Sequence, residues 1–265
     1  MSTVRLGLCF SHVGGLRQES ARDSLRNALR FFRISRRDGP LEEGRLSLAP
    51  LDAGAADLDR SLEESLAEDV THVLFLSPGV LLPFYAIQSL LELRLGAVSG
   101  ISWSWRPGPV PDIFPRIGYF DPEGRPYPWF SWSAPDLFEV GWCGLDCLLL
   151  ERRVLKEIAD PLRRLDHLAP SLRISLALRA RRIPILVDSF IQCPILVSAG
   201  ALERRIMPSP QAWLEFSRDF ADRKIPRERN FDPAYRGRSW YRDWVKRCFS
   251  SRDLEFTARA EPAGN

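Results

Sequence analysis

Histidine is scarce, cysteine is scattered, and neither sign of charge dominates. There are three histidines and five cysteines in 265 residues. Cys143 and Cys147 have a spacing that a metal tolerates, but no second Cys/His pair joins them, which argues against a zinc site. The cysteines (Cys9, Cys143, Cys147, Cys193, Cys248) are odd in number, dispersed and mostly set in apolar runs. That pattern disfavours a disulfide framework and suits buried thiols in a reducing compartment. A net charge of +3 and a pI near 8.7 are too weakly basic to demand nucleic acid or a membrane surface as partner. No long apolar run survives intact either. The stretch 73–93 is broken by Ser77, Pro78, Gly79 and Pro83, and no basic-then-apolar segment opens the chain, so the sequence reads as cytoplasmic with no membrane span.

What is present describes a globular protein, with 45% hydrophobic and 27% charged residues. Over the first hundred residues strands alternate with helices, which predicts an α/β fold around a largely parallel sheet. Strands are expected at Val4–Phe10, Leu46–Leu51, Thr71–Leu76 and Gly96–Trp103, and helices at Ser20–Phe32 and Leu58–Leu66. Residues 104–136, rich in proline, glycine and aromatics, read as an inserted flap with a turn at Asp121-Pro122-Glu123-Gly124 between two short strands. Strand-like sequence returns over Leu137–Leu150, helices are expected from Arg152 and over Leu172–Arg182, and a last strand over Ile183–Asp188. This divides the chain into a domain at 1–200 and a basic, aromatic-rich extension at 201–265. No internal repeat stands out.

The segment Thr71–Leu93, THVLFLSPGVLLPFYAIQSLLEL, carries the strongest functional signal. A buried strand runs into a Ser-Pro-Gly turn and then a proline-led helix, and sheet-and-helix proteins bind ligands at the carboxyl ends of strands. Together with FEVGWCGLDCLLLERRVL at 138–155 it resembles the GT-A glycosyltransferases of the family 2-like kind, over roughly residues 4–198. The resemblance implies a GT-A-like, Rossmann-like mixed sheet sandwiched by helices, with a nucleotide-sugar as donor substrate and a sugar transferred to an acceptor. It places Ser11 in the loop against the base, Asp52 where an acidic residue meets the base or ribose, and Arg60 where an arginine meets the diphosphate. Arg60 is equally the solvated face of a helix. In the family the turn after the third strand carries two aspartates for a divalent cation. Here Ser77 and Gly79 occupy those positions, so the resemblance implies a metal-independent protein with no cofactor. In such a protein Ser77 lines the crevice and arginine replaces the ion.

The acid/base residues depart from the family pattern in the same direction. In the family's Gly-x-Gly turn, Gly144 matches the first glycine and Asp146 stands at the second. Asp146 is then a base, a substitute ligand or a turn cap. Leu186-Val187-Asp188 matches a strand end, and counting back puts Pro170 and Ser171 where a Glu-Asp pair supplies the general base. Asp166 and His167 lie a few residues away as replacement candidates. Pro194 stands where a further metal-ligating histidine occurs. These losses support two readings: a divergent transferase, or a pseudoenzyme serving as a binding or assembly subunit. Trp103, Trp105, Trp129 and Trp132 either form a stacking surface for sugars, bases or prolines, or seal the flap. The arm at 201–250 holds twelve Lys/Arg against seven Asp/Glu, interleaved with aromatics such as Trp213, Phe216, Trp240 and Trp244. It offers a face for a protein or nucleic-acid partner, or a closing helix over 240–249 with Trp240, Trp244 and Cys248 as its apolar stripe. The acceptor is not legible.

Overall fold

The computed structural model describes residues 6–10, 20, 23–30, 48–50, 62–63, 70–77, 79–106, 112–130, 132, 136–199, 202–209, 211, 215 and 239–249. Its centre is an eight-stranded mixed sheet. The path runs β2 (Leu48–Pro50), β1 (Leu6–Phe10), β3 (His72–Leu76), β10 (Leu148–Glu151), β4 (Ala97–Arg106), β11 (Ile185–Cys193) and β8 (Leu137–Val140), with β5 (Asp112–Pro115) paired to β4. Strands β2, β1 and β3 are parallel, as are β4 and β11, whereas β10 runs antiparallel between β3 and β4 and β8 runs antiparallel along the edge. The strand-like run Leu137–Leu150 is three strands: β8, the short β9 (Trp142–Cys143) and β10. Gly141 and the Gly144–Asp146 turn break it, and the sheet is therefore mixed where alternation alone suggested a parallel one.

Alternation along β3 sorts the core into two layers. Val73 and Phe75 face a cluster that includes Val154, Leu155, Ile158 and Leu162 of α2 (Arg152–Arg163) and Ile174, Ala177 and Leu178 of α3 (Pro170–Ala180). Leu74 and Leu76 face the other cluster, with Leu25 and Ala28 of the helical stretch 23–30 and Ala86, Ile87, Leu90 and Leu91 of α1 (Ala86–Glu92). Helices thus cover both faces. Proline at the first turn starts α3, where a missing N–H costs nothing. The Arg173 guanidinium, fully buried, donates to the Leu162 carbonyl at 2.9 Å and so ties α3 to the carboxyl end of α2.

The flap is a small sheet of β7 (Pro126–Pro128), β6 (Ile117–Phe120) and β9. Its turn is the expected one. The Asp121 carboxylate accepts from the Arg125 backbone N–H at 2.7 Å and from Arg125 Nε at 2.8 Å, which closes the hairpin. Of the four flap tryptophans, Trp103 and Trp132 are buried, with ring centroids 6.2 Å apart, and Trp132 stacks on Phe138. The stacking-surface alternative is therefore corrected for these two, because burial leaves no ring face for a ligand. Trp129 is half-buried against the core, edge-on to Tyr119.

A hairpin of β12 (Ile195–Ala199) and β13 (Leu202–Ile206) spans position 200, the boundary read from the sequence. Val197 and Ile206 share the core with Val245, Cys248 and Phe249 at the end of α4 (Ser239–Cys248), so the described parts of the extension pack back on the main body. Cys248 is buried as the stripe requires, and Arg242 is exposed. The other described thiols, Cys143, Cys147 and Cys193, are also buried and unbridged, and burial pushes Cys143 up to about 12. No helix among the described residues is long and apolar enough to cross a membrane.

One titration follows from the far end of β3. Burial holds His72 below its ordinary 6.5, outweighing the opposing pull of Glu151 across the strand pair. A histidine kept neutral by folding stabilises above the unfolded value, and that contribution is lost as pH falls through the folded one. Stability is therefore expected to decline on acidification below 6.5, and His72→Gln to flatten that part of the curve in urea titrations at a series of pH values.

Candidate functional site

Parallel strands β1 and β3 end opposite each other, Phe10 beside Leu76, so both chains leave the sheet at one edge. Immediately past Leu76, the Ser77 carbonyl accepts from the Val80 N–H at 3.3 Å, and Gly79 takes φ +81, a left-handed value that suits glycine. The turn is clamped from two sides. Ser77 Oγ donates to the Leu145 carbonyl at 3.0 Å, while Leu81 N–H donates to the Pro194 carbonyl at 2.9 Å and Val80 bridges Ile195. Strand end, Gly144–Asp146 turn and the β11–β12 corner therefore meet at the carboxyl edge.

Asp146 lies at this junction, with its side chain 1% exposed. Its Oδ2 accepts from Ser102 Oγ on β4 at 2.7 Å and forms an ion pair with Arg116 Nε at 3.0 Å; its Oδ1 is buried without a hydrogen-bond partner. Arg116 occupies the bend between β5 and β6, where its N–H donates to the Ser102 carbonyl and its own carbonyl accepts from Gly144 N–H at 2.7 Å. The glycine at 144 has a local cause. A Cβ there would overlap Asp146 Oδ2 and approach Arg116 Nε to 2.8 Å. Sequence reasoning did not find Arg116, because an arginine in a proline-rich flap carries no periodic signal. The one available clue was Asp146 at a glycine position, which implies a buried cationic partner.

Arg116 is about one-third exposed, with a side-chain accessibility of 35%. Asp146 engages its Nε, and neither of its terminal nitrogens has a partner among the described residues. A guanidinium oriented through Nε presents its outer fork as a fixed anion receptor.

The divalent ion that the family's two aspartates hold does not fit here. Ser77 spends its hydroxyl hydrogen on Leu145, Gly79 has no side chain, and the Asp146 carboxylate is ion-paired with Arg116. Among the described residues no group of three or more His, Cys, Asp and Glu side chains is arranged to hold a metal.

The other sequence candidates fall elsewhere. Asp166 and His167 are exposed in the connection between α2 and α3, with His167 Nδ1 3.8 Å from Asp166 Oδ1, and no described contact joins them to Asp146, Arg116 or Ser77. Asp146, read as a base, a substitute ligand or a turn cap, is a buried carboxylate ion-paired with Arg116. Ser11, Asp52 and Arg60 lie outside the described residues. A separate cleft of about 680 Å³ opens at the amino end of β11, between α3, β6 and β8. It sits at the opposite edge of the sheet from the Ser77 turn.

No family model matches this chain, and no curated protein matches it. Among solved structures, the crystal structure of A197 from STIV is similar at 15% identity with a TM-score of 0.43, over 74% of this chain and 87% of that one.

Proposed function

We propose that the protein is a GT-A-like, nucleotide-sugar-binding protein that holds the donor diphosphate with arginine instead of a divalent cation. The observation carrying this reading is the Arg116–Asp146 pair beside the Ser77 turn: a permanent cation, fixed by a buried carboxylate, at the strand edge where the family's metal would stand. A diphosphate leaving group gathers negative charge as its glycosidic bond breaks, and an oriented guanidinium offsets that charge without proton exchange. Pro194 supports the same reading. The resemblance puts a further metal ligand there, and its backbone is bonded to the residue two after Gly79, so the expected neighbours meet while the ligating side chains are absent.

The second reading, a pseudoenzyme that binds without transferring, is favoured by the burial of Asp146 and the separation of Asp166 and His167 from it. Calorimetric titration of UDP-, GDP- and TDP-sugars, with and without manganese, tests the shared claim. At least one donor is expected to bind, and manganese to leave its affinity unchanged within about twofold, well under the tenfold that 1.4 kcal/mol represents. Donor that is bound but never consumed in the presence of candidate acceptors selects the pseudoenzyme.

A further inference from the structure

The cleft at the amino end of β11 is independent of the carboxyl-edge site, and three features give it a chemistry of its own. First, two guanidinia enter it from one helix end: Arg179, whose Cζ stands 5.4 Å from the centre of the Phe120 ring, and Arg182 just beyond the helix. Second, Glu139 lines the same cleft but pairs with neither arginine, so opposite charges face each other across open space without collapsing together. Third, Arg182 has φ +58. It caps α3 in a position where helices ordinarily place glycine, with its N–H bonded to the Arg179 carbonyl and Ile183 N–H bonded to the Leu178 carbonyl. A long cation is kept in that conformation at a cost that glycine would not carry.

We propose that this cleft binds a phosphorylated polyol, a sugar phosphate, with the phosphate on Arg179 and Arg182 and hydroxyl groups on Glu139. Two planar forks match the oxygens of a dianionic phosphate. A bare anion is disfavoured, because the Glu139 carboxylate repels it. Tyr119 donates its hydroxyl to the Glu139 backbone carbonyl at 2.7 Å and so acts only as an acceptor toward a ligand. The wall opposite the arginines therefore asks for donors, which a polyol supplies. The volume, about 680 Å³, falls within the range of small-molecule pockets.

The test is calorimetric titration with glucose 1-phosphate and glucose 6-phosphate, set beside glucose and inorganic phosphate alone. At least one sugar phosphate is expected to bind at least tenfold more tightly than either half. Arg182→Gly, which suits the left-handed backbone and keeps the fold, is expected to weaken binding at least tenfold, and Arg179→Gln likewise. Glu139→Gln is expected to narrow the preference over inorganic phosphate. The neutral pair Arg116→Gln with Asp146→Asn is expected to leave this binding intact, which separates it from the nucleotide reading. Absence of binding by both sugar phosphates overturns the proposal. So does binding that survives Arg182→Gly and Arg179→Gln together, or binding lost only in the Arg116/Asp146 variant.

Discussion

Replacing Arg116 alone with glutamine is expected to destabilise the protein by roughly 3–5 kcal/mol in urea unfolding, the cost of stranding a buried carboxylate. Asp146 is 1% exposed, one of its oxygens already lacks a partner, and the other would keep only Ser102. Neutralising both, Arg116→Gln with Asp146→Asn, is expected to recover much of that loss, because two amides need no counter-charge. The non-additivity is the diagnostic quantity. A single-variant loss below about 1 kcal/mol, the range of exposed ion pairs, would mean that solvent reaches the pair and that Arg116 is not rigidly aimed.

Trp103→Ala is expected to cost about 3–5 kcal/mol as well, by emptying a large core site. The ring is 1% exposed on β4, packed near Trp132 and joined to the cluster that spans the sheet and α2–α3. Ligand binding by the folded fraction should not change, since no ring face is available. Loss of sugar binding at unaltered stability would instead restore the stacking role that the sequence left open for this tryptophan.

Legibility followed the physics of each segment. Apolar strands bounded by turn residues were readable: the third strand, expected at Thr71–Leu76, is His72–Leu76, and the fourth begins at Ala97 as the pattern implies. The helix expected over Leu172–Arg182 is Pro170–Ala180, shifted because proline favours the first turn and because Arg182 leaves the helix with a left-handed backbone. The Asp121 turn was legible because its side chain closes it locally. What failed was anything set by distant pairing. No local signal says that Leu148–Glu151 inserts antiparallel between β3 and β4, or that the fourth strand extends to Arg106 to meet β5. Burial of Asp146 was illegible for the same reason, since its partner Arg116 is thirty positions away and reaches it only once the flap has folded.

The candidate site divides in the same way. Ser77 and the Gly79 turn follow the end of β3, at the shared carboxyl edge of β1 and β3. Asp166 and His167 are candidates through nearness in sequence to Pro170 and Ser171, and among the described residues that nearness brings contact with each other but none with the turn.

The most direct test of arginine in place of metal is calorimetric titration of UDP-, GDP- and TDP-sugars into EDTA-treated protein and into the Arg116→Gln, Asp146→Asn variant. The account predicts that at least one donor binds the metal-free native protein and binds the variant at least tenfold more weakly, about 1.4 kcal/mol or more. Binding that appears only after manganese is restored, or that is equal in the two proteins, would contradict it.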